Sequence, residues 1–180
     1  MHEGPQPSAW VRRFAPLVPR GAPVLDLACG GGRHTRLLLE SGHPVTAIDI
    51  DVSNLADLAG RPGAEILQAD LECGDDPFSP GGPLAGRSFG GVVVTNYLHR
   101  PLLDGLVAAV APGGVLIYET FCEGNEGFGG RVTNPDFLLR HGELLDLARG
   151  RLRVVAYEDV VVAEPRPAAV QRICAVRPAG

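Results

Sequence analysis

Residues 23–51 hold two apolar segments separated by a glycine-rich turn and a helix-like stretch, and this arrangement restricts the fold more than any other feature. The first segment, residues 24–28, leads directly into Gly30, Gly31 and Gly32. The second, residues 45–50, carries Asp49 near its end. Glycines let the backbone pass close to a ligand, and a carboxylate after the second strand can bind two ribose hydroxyls. The pattern predicts a strand–loop–helix–strand unit that binds a nucleoside cofactor.

Hydrophobic periodicity and the positions of glycine and proline extend this unit over the whole chain. Strands are predicted at residues 24–28, 45–50, 65–69, 91–95 and 115–119, with an antiparallel pair at 153–162 and 169–176. Two helices are predicted to begin at serine caps, one at Ser8 and one at Ser53 that runs to residue 59. Further helices are predicted at 33–40, at 101–110 and at 134–147, the last with a kink at Gly142. Residues 72–88 are predicted to form a loop.

The alternation of strands and helices predicts an α/β fold. We expect a Rossmann-like, doubly wound, mostly parallel sheet with an antiparallel last strand. Residues 1–180 are expected to form a single domain, with an N-terminal helical segment over 1–20 and an α/β core over 21–180.

Composition excludes several classes of protein. All 16 basic residues are arginine, so chemistry that needs a lysine, such as a Schiff base or a P-loop lysine, is excluded. The net charge of −5 argues against nucleic acid as a partner. The four cysteines show no CxxC spacing, which predicts reduced thiols and no metal site. We see no secretory signal and no membrane-length apolar run, and therefore expect a cytoplasmic protein with no membrane partner.

In a parallel sheet of this kind, ligands bind beyond the carboxyl ends of the strands, where the strand order reverses. The residues just after each strand are therefore the site candidates, namely 28–33, 49–51, 70–71, 96–100 and 119–121. A dinucleotide site would carry GxGxxG, whereas here the pattern from Asp26 reads D-x-A-x-G-x-G. A carboxylate at the front would repel a pyrophosphate but could bind an ammonium group. A nucleoside that carries an amino acid fits this pattern.

The spacing from Asp26 resembles the first motif of class I S-adenosylmethionine-dependent methyltransferases. Residues 45–49 resemble the second motif, 67–71 the third and 92–96 the fourth, and 112–114 resemble the turn before the fifth strand. These matches run in order from residue 24 to about 120. Residues 96–101, Asn-Tyr-Leu-His-Arg-Pro, are similar to bacterial methyltransferases of the tellurite-resistance type.

The resemblance implies S-adenosylmethionine as the cofactor and assigns roles to residues of this chain. Asp49 would hold the ribose hydroxyls, Asp70 the adenine amino group and Arg33 the methionine carboxylate. The implied cofactor-binding residues are Asp26, Ala28, Gly30, Gly32, Arg33, Asp49, Ile50, Asp70, Leu71 and Asn96. Ala28 replaces the first motif glycine and is expected to fit if its φ is negative. Asp26 and Asp70 could instead cap a neighbouring helix or turn.

The same reading predicts transfer of a methyl group by in-line displacement to a small-molecule acceptor. His99 is the candidate general base and Tyr97 could orient the acceptor, while Arg100 and Glu119 could bind a charged one. His99 and Arg100 could equally serve to end the strand and cap the next helix. Residues 122–134 could form a mobile lid or an ordinary surface loop, and a homodimer could close the site.

Other functions stay open at this point. The chain could be a non-catalytic S-adenosylmethionine-binding protein that acts through a partner, or a methyltransferase for RNA or protein. A nucleotide-sugar or nicotinamide enzyme is disfavoured by the acid at the front of the loop and by the absence of GxGxxG.

Overall fold

The computed structural model describes residues 6–74, 76–129, 132 and 134–180. Their strands form one seven-stranded sheet of order β3-β2-β1-β4-β5-β7-β6. Strands β1 to β5 pair in parallel, and β7 is antiparallel to both of its neighbours. The strands are β1 Val24–Leu27, β2 Val45–Asp49, β3 Ala64–Gln68, β4 Phe89–Thr95, β5 Val110–Phe121, β6 Arg153–Val162 and β7 Ala168–Val176. This topology confirms the predicted α/β fold and its antiparallel last strand.

Short helices cover both faces of the sheet. The α-helices are α1 Ala9–Phe14, α2 Arg33–Glu40, α3 Leu103–Ala108 and α4 Glu143–Ala148. The 3-10 helices are Ala15–Leu17, Ser53–Leu58, Arg100–Leu102, Asn125–Phe128 and Pro135–Phe137. Among the described residues, no helix combines the length and the apolar character needed to cross a bilayer.

Alternate residues of the central strands pack into two separate cores. Leu25 and Leu27 of β1 belong to the core beneath α3 and α4, whereas Val24 belongs to the core beneath α1 and α2. The same alternation continues in β4 and β5. Since both faces are covered, these strands are apolar at nearly every position, as expected for a parallel sheet.

Two glycines at the start of β4 allow the N-terminal segment to pack on the strand. A Cβ atom at Gly90 would overlap Ala22, and one at Gly91 would crowd Val18. The absence of side chains at these positions is thus explained by a close approach of the chain, not by a ligand.

Several predicted elements differ from the structure. The helix predicted at 101–110 is a 3-10 helix followed by α3, which ends at Ala108. The helix predicted from 134 to 147 is two pieces, because Leu138 is extended and Gly142 has a φ of +78°. Ser53 lies inside a 3-10 helix and does not cap it. Strand β5 begins at Val110, five residues before its predicted start, and residues 111–114 accommodate a register shift against β4.

The order of the strands fixes where a ligand can bind. The chain runs outward from β1 to β3 on one side of the sheet and from β4 to β6 on the other. Strands β1 and β4 are therefore the point where the strand order reverses, and the loops after them frame a crevice.

Candidate cofactor and active site

The loop after β1 is held in left-handed conformations at three alternate positions. The φ angles are +54° at Ala28, +52° at Gly30 and +72° at Gly32. The condition under which Ala28 was expected to fit, a negative φ, is therefore not met. The backbone at this position takes the conformation that a glycine would adopt without cost, and alanine holds it at a cost of about 1–2 kcal/mol.

The glycines of this loop serve different purposes. A Cβ atom at Gly32 would overlap the Leu55 side chain and lie 2.9 Å from Nη1 of Arg36, so this position has no room for a larger residue. At Gly30 and Gly31, a Cβ atom would meet nothing within 4 Å. Gly30 and Gly31 thus leave open space above the loop, where a ligand can approach the backbone.

Asp26 lies beneath the loop in β1 with 1% of its surface exposed. The hydroxyl of Thr35 in α2 donates a hydrogen bond to Oδ2 of Asp26 at 2.6 Å. Burial raises the pKa of the Asp26 carboxyl to about 6, although the Thr35 hydrogen bonds and the Arg33 guanidinium oppose that rise. Asp26 therefore fixes the start of α2, and a cation bound above it would favour its ionised form.

Asp49 joins the ends of β1 and β2. Its Oδ2 accepts a hydrogen bond from the Gly30 amide at 2.8 Å, and its Oδ1 accepts one from the Asp51 amide at 3.1 Å. Each carboxylate oxygen has a second lone pair, so the group can still accept from a ligand diol. The next residue, Ile50, has 59% of its surface exposed. An exposed isoleucine beside a carboxylate can pack against the flat face of a base.

Asp70 forms a turn at the end of β3. Its Oδ1 accepts hydrogen bonds from the amides of Glu72 at 2.9 Å and Cys73 at 3.0 Å. These bonds hold the pKa of Asp70 below its usual value. The turn-capping role considered from the sequence is thus present, and it leaves Oδ2 available to a ligand. Leu71, the next residue, is buried with 8% exposed.

The residues after β4 combine a strained backbone with a buried hydroxyl. Asn96 has a φ of +54°, and its backbone amide donates to the Glu119 backbone carbonyl at 2.9 Å. The hydroxyl of Tyr97 is buried without a hydrogen-bond partner among the described residues. The side chain of His99 does not cap the helix that follows it.

The guanidinium of Arg100 makes four hydrogen bonds within the protein. Its Nε and Nη2 bind the Glu143 carboxylate at 2.8 and 2.9 Å, and its Nη1 and Nη2 donate to the carbonyls of Asp136 and Leu138, each at 2.8 Å. The guanidinium therefore ties residues 136–143 to the end of β4. This placement does not support its predicted role in binding an anionic acceptor.

Glu119 at the end of β5 is likewise engaged inside the protein. Its Oε1 accepts from the Ser8 hydroxyl at 2.7 Å, and its Oε2 accepts from Arg172 at 3.1 Å. Arg172 also pairs with Glu158 at 2.5 Å. Glu119 thus fastens the N-terminal segment to the sheet, and its charge is compensated without a substrate.

His34 is a residue of this region whose role sequence reasoning missed. It is buried, with 1% exposed; its Nε2 accepts the Ser8 amide proton at 3.1 Å, and its Nδ1 lies 3.4 Å from the Thr95 hydroxyl. Burial, together with the charge of Arg33, lowers its pKa to about 3. His34 is therefore a neutral link between the N-terminal segment, α2 and β4. The sequence signal that it is buried is weak, since it lies beside the polar first turn of α2.

The segment after β5 is held by Asn125. Its side chain donates to the Val132 carbonyl at 3.1 Å and accepts from the Ala169 amide at 3.2 Å. This anchors the first part of the loop for which a lid was considered. Gly130, Arg131 and Thr133 of that loop lie outside the described residues.

Together these residues form one continuous edge at the carboxyl ends of β1, β2, β3 and β4. Open space lies over Gly30 and Gly31, and the Asp49 carboxylate is held beside it. The Tyr97 hydroxyl is buried and has no hydrogen-bond partner in the part of the chain that the structure describes. This donor set suits a nucleoside with a cationic amino-acid tail. Among the described residues, no group of three or more metal-ligating side chains is assembled.

Comparison with known proteins gives a family match. Residues 24–114 match the family described as a methyltransferase domain. Malonyl-(acyl-carrier protein) O-methyltransferase from Salmonella typhimurium is 33% identical over 112 residues, which cover 58% of this chain and 41% of that protein. Trans-aconitate 2-methyltransferase from Paracidovorax citrulli is 37% identical over 101 residues, which cover 52% and 36%. The chain spans about two fifths of the length of these curated relatives.

A solved structure shares the fold. It is a TehB-like S-adenosylmethionine-dependent methyltransferase from Corynebacterium glutamicum, with 21% sequence identity and a TM-score of 0.62. The alignment covers 93% of this chain and 86% of that one. The overall fold described above therefore occurs in a solved methyltransferase structure.

Proposed function

Since the chain belongs to the methyltransferase domain family, we propose that it transfers the methyl group of S-adenosylmethionine to a small-molecule acceptor. The observation that carries the proposal is the arrangement of Asp49 and Gly30. The carboxylate is held at 2.8 Å from the loop amide and borders open space above the glycines. In this position it can accept from both hydroxyls of a ribose.

We assign the rest of the cofactor to the neighbouring loops. Ile50 and Leu71 would pack against the adenine, and Asp70 would accept from its amino group through Oδ2. The loop residues Ala28, Gly30 and Gly32 would let the backbone approach the cofactor, with Asn96 lining its methionine end. Asp26 and Arg33 would provide opposite charges for the ammonium and carboxylate groups of that end. A cation bound nearby would lower the raised pKa of Asp26 and so stabilise its buried carboxylate.

Methyl transfer demands little covalent chemistry from the protein. When bound, S-adenosylmethionine supplies a methyl group on a sulfonium, which is already an activated leaving group. The protein must hold the acceptor in line with that methyl group, and orientation of this kind can provide about 7–11 kcal/mol. We propose that His99 acts as the base for an acceptor that must lose a proton. The His99 side chain follows β4 and does not cap the next helix.

Two observations favour a small-molecule acceptor. One curated relative carries trans-aconitate in its name, and the net charge of −5 opposes binding to a polyanion. A methyltransferase for RNA or protein, and a non-catalytic cofactor-binding protein, are the alternatives.

We also propose that residues 1–180 form one domain, that a homodimer closes the site and that the protein is cytoplasmic. Free thiols at the four cysteines suit a reducing compartment.

Binding of S-adenosylhomocysteine, followed by isothermal titration calorimetry, tests the cofactor site. The wild-type protein should bind, and Asp49→Ala should weaken binding about a hundredfold, because two hydrogen bonds to a charged group are lost. Asp51→Ala is the matched control. It removes an exposed carboxylate two residues away that accepts from Ser53, and it should change affinity less than about threefold. Equal affinities for the Asp49→Ala variant and the wild type would refute the site.

Release of S-adenosylhomocysteine, measured over panels of thiols, amines and hydroxyl compounds, tests catalysis. An active panel member would exclude the non-catalytic alternative. With that acceptor, His99→Ala should keep cofactor affinity and lower turnover about a hundredfold or more. Unchanged turnover would remove His99 from the mechanism.

A further inference from the structure

The Tyr97 hydroxyl is a buried polar group. It has no hydrogen-bond partner among the described residues, and its ring packs against the core that contains Leu71 and Leu98. The backbone of Tyr97 is fixed, because the Tyr118 hydroxyl donates to its carbonyl at 2.8 Å. A buried donor without an acceptor is unfavourable, and a ligand bound in the crevice would supply the acceptor that the described residues do not.

The surroundings of the phenol show which end of the site it serves. Burial, followed by the nearby carboxylates of Glu72, Asp70 and Asp49, raises the pKa of Tyr97. The phenol therefore stays protonated at neutral pH and acts as a donor. Asp49 is the last residue of β2, and Asp70 lies two residues beyond the end of β3. These two carboxylates are assigned to the sugar and the base.

The packing of Tyr97 indicates the same side of the crevice. Its ring lies against the core that contains Leu71, which is assigned to the adenine. Its buried hydroxyl has Asp49 and Asp70 as carboxylate neighbours. These placements associate the Tyr97 hydroxyl with the nucleoside side of the crevice.

We propose that Tyr97 binds the cofactor, its buried hydroxyl donating a hydrogen bond to an acceptor atom on the adenine or ribose. This inference rests on the proposed function. It assigns Tyr97 to cofactor recognition and not to orientation of the methyl acceptor, the role that the sequence had suggested. No proton is transferred in this contact.

Tyr97→Phe removes the hydroxyl and retains the ring, so its effects separate ligand binding from packing. Calorimetric titration with adenosine and with S-adenosylhomocysteine should show about tenfold weaker binding of both. Without ligand, the melting temperature should stay the same or rise, because an unsatisfied buried group has been removed. Tyr157→Phe is the control: its hydroxyl donates to Asp159 at 3.3 Å on β6, and its loss should leave both affinities unchanged.

The outcomes separate this inference from the proposed function. If the wild-type protein bound neither probe, both would fall. If the wild type bound them and Tyr97→Phe bound them equally well, only the role of Tyr97 would be refuted. Weaker binding of S-adenosylhomocysteine with unchanged binding of adenosine would also refute it, since the hydroxyl would then serve the methionine end. A large drop in melting temperature would show a structural role instead.

Discussion

Asp26 and His34 are buried ionisable residues beside the glycine loop, and they respond to pH in opposite directions. The pKa of Asp26 is about 6 in the folded protein, against an ordinary value of 3.8. Its contribution to stability therefore rises as the pH falls through this window. His34 takes up a proton near 6.5 in the unfolded chain and at about 3 in the folded protein, so its contribution falls below pH 6.5. Each effect amounts to about 1.4 kcal/mol per pH unit.

The two contributions should nearly cancel in the wild-type protein and separate in single variants. Between about pH 6 and about pH 4.5, Asp26→Asn should lose about 2 kcal/mol more unfolding free energy than the wild type. His34→Asn should lose about 2 kcal/mol less over the same interval. Urea denaturation at the two pH values measures both differences, and all other groups titrate equally in the three proteins. Identical pH slopes in all three would show that neither group is buried as described.

The turn into α2 is an element whose geometry depends on one particular glycine. Gly32→Ala should lower the unfolding free energy by about 2–5 kcal/mol, since it adds left-handed strain and an overlap with Leu55. Gly31→Ala, one residue earlier, lies outside the left-handed region and in open space, and should cost less than about 1 kcal/mol. Chemical denaturation of both variants tests the contrast, which equal losses would contradict.

Elements with strong local signals were predictable, and those fixed by distant contacts were not. The sequence predicted the bounds of α2, residues 33–40, because glycines flank an unbroken run of helix-forming residues. It failed for residues 134–147, where Arg100 binds two carbonyls and a carboxylate from 36 to 43 positions away. The positions of Asp49 and Asp70 at the carboxyl edge of the sheet followed from the predicted strands β2 and β3. The Ser8 and His34 link could not be found, since it joins segments 26 residues apart.

The segment Pro135–Glu143 should depend on the shape of the Arg100 side chain and not only on its charge. Arg100→Lys keeps the charge but loses the planar donor array, and should lower the unfolding free energy by about 1–3 kcal/mol. Arg140→Lys is the matched control: its side chain also approaches Glu143, at 3.6 Å, but is 71% exposed. Its effect should stay below about 0.5 kcal/mol. Equal effects in thermal denaturation would mean that the carbonyl contacts of Arg100 contribute nothing.

At the scale of the whole molecule, the N-terminal helix completes one face of the sheet and one border of the site. Trp10 is 3% exposed, and its indole donates to the Ile173 carbonyl of β7 at 3.2 Å. The Arg172 guanidinium lies 4.9 Å from the centre of the Trp10 ring and also binds Glu119. Helix α1, the β5–β7 pair and the end of the crevice are therefore joined through a few side chains. Loss of α1 from the sheet should loosen the site as well as the core.

Trp10→Ala should therefore lower both stability and cofactor affinity. The expected loss of unfolding free energy is about 3–5 kcal/mol, typical of a large aromatic side chain removed from a core. Leu17→Ala is the control on the same segment, because the Leu17 side chain is 46% exposed. It should cost less than about 1 kcal/mol. Urea denaturation gives the stabilities, and titration of the folded fraction with S-adenosylhomocysteine gives the affinities. Normal affinity in a destabilised Trp10→Ala protein would mean that α1 supports the core without shaping the site.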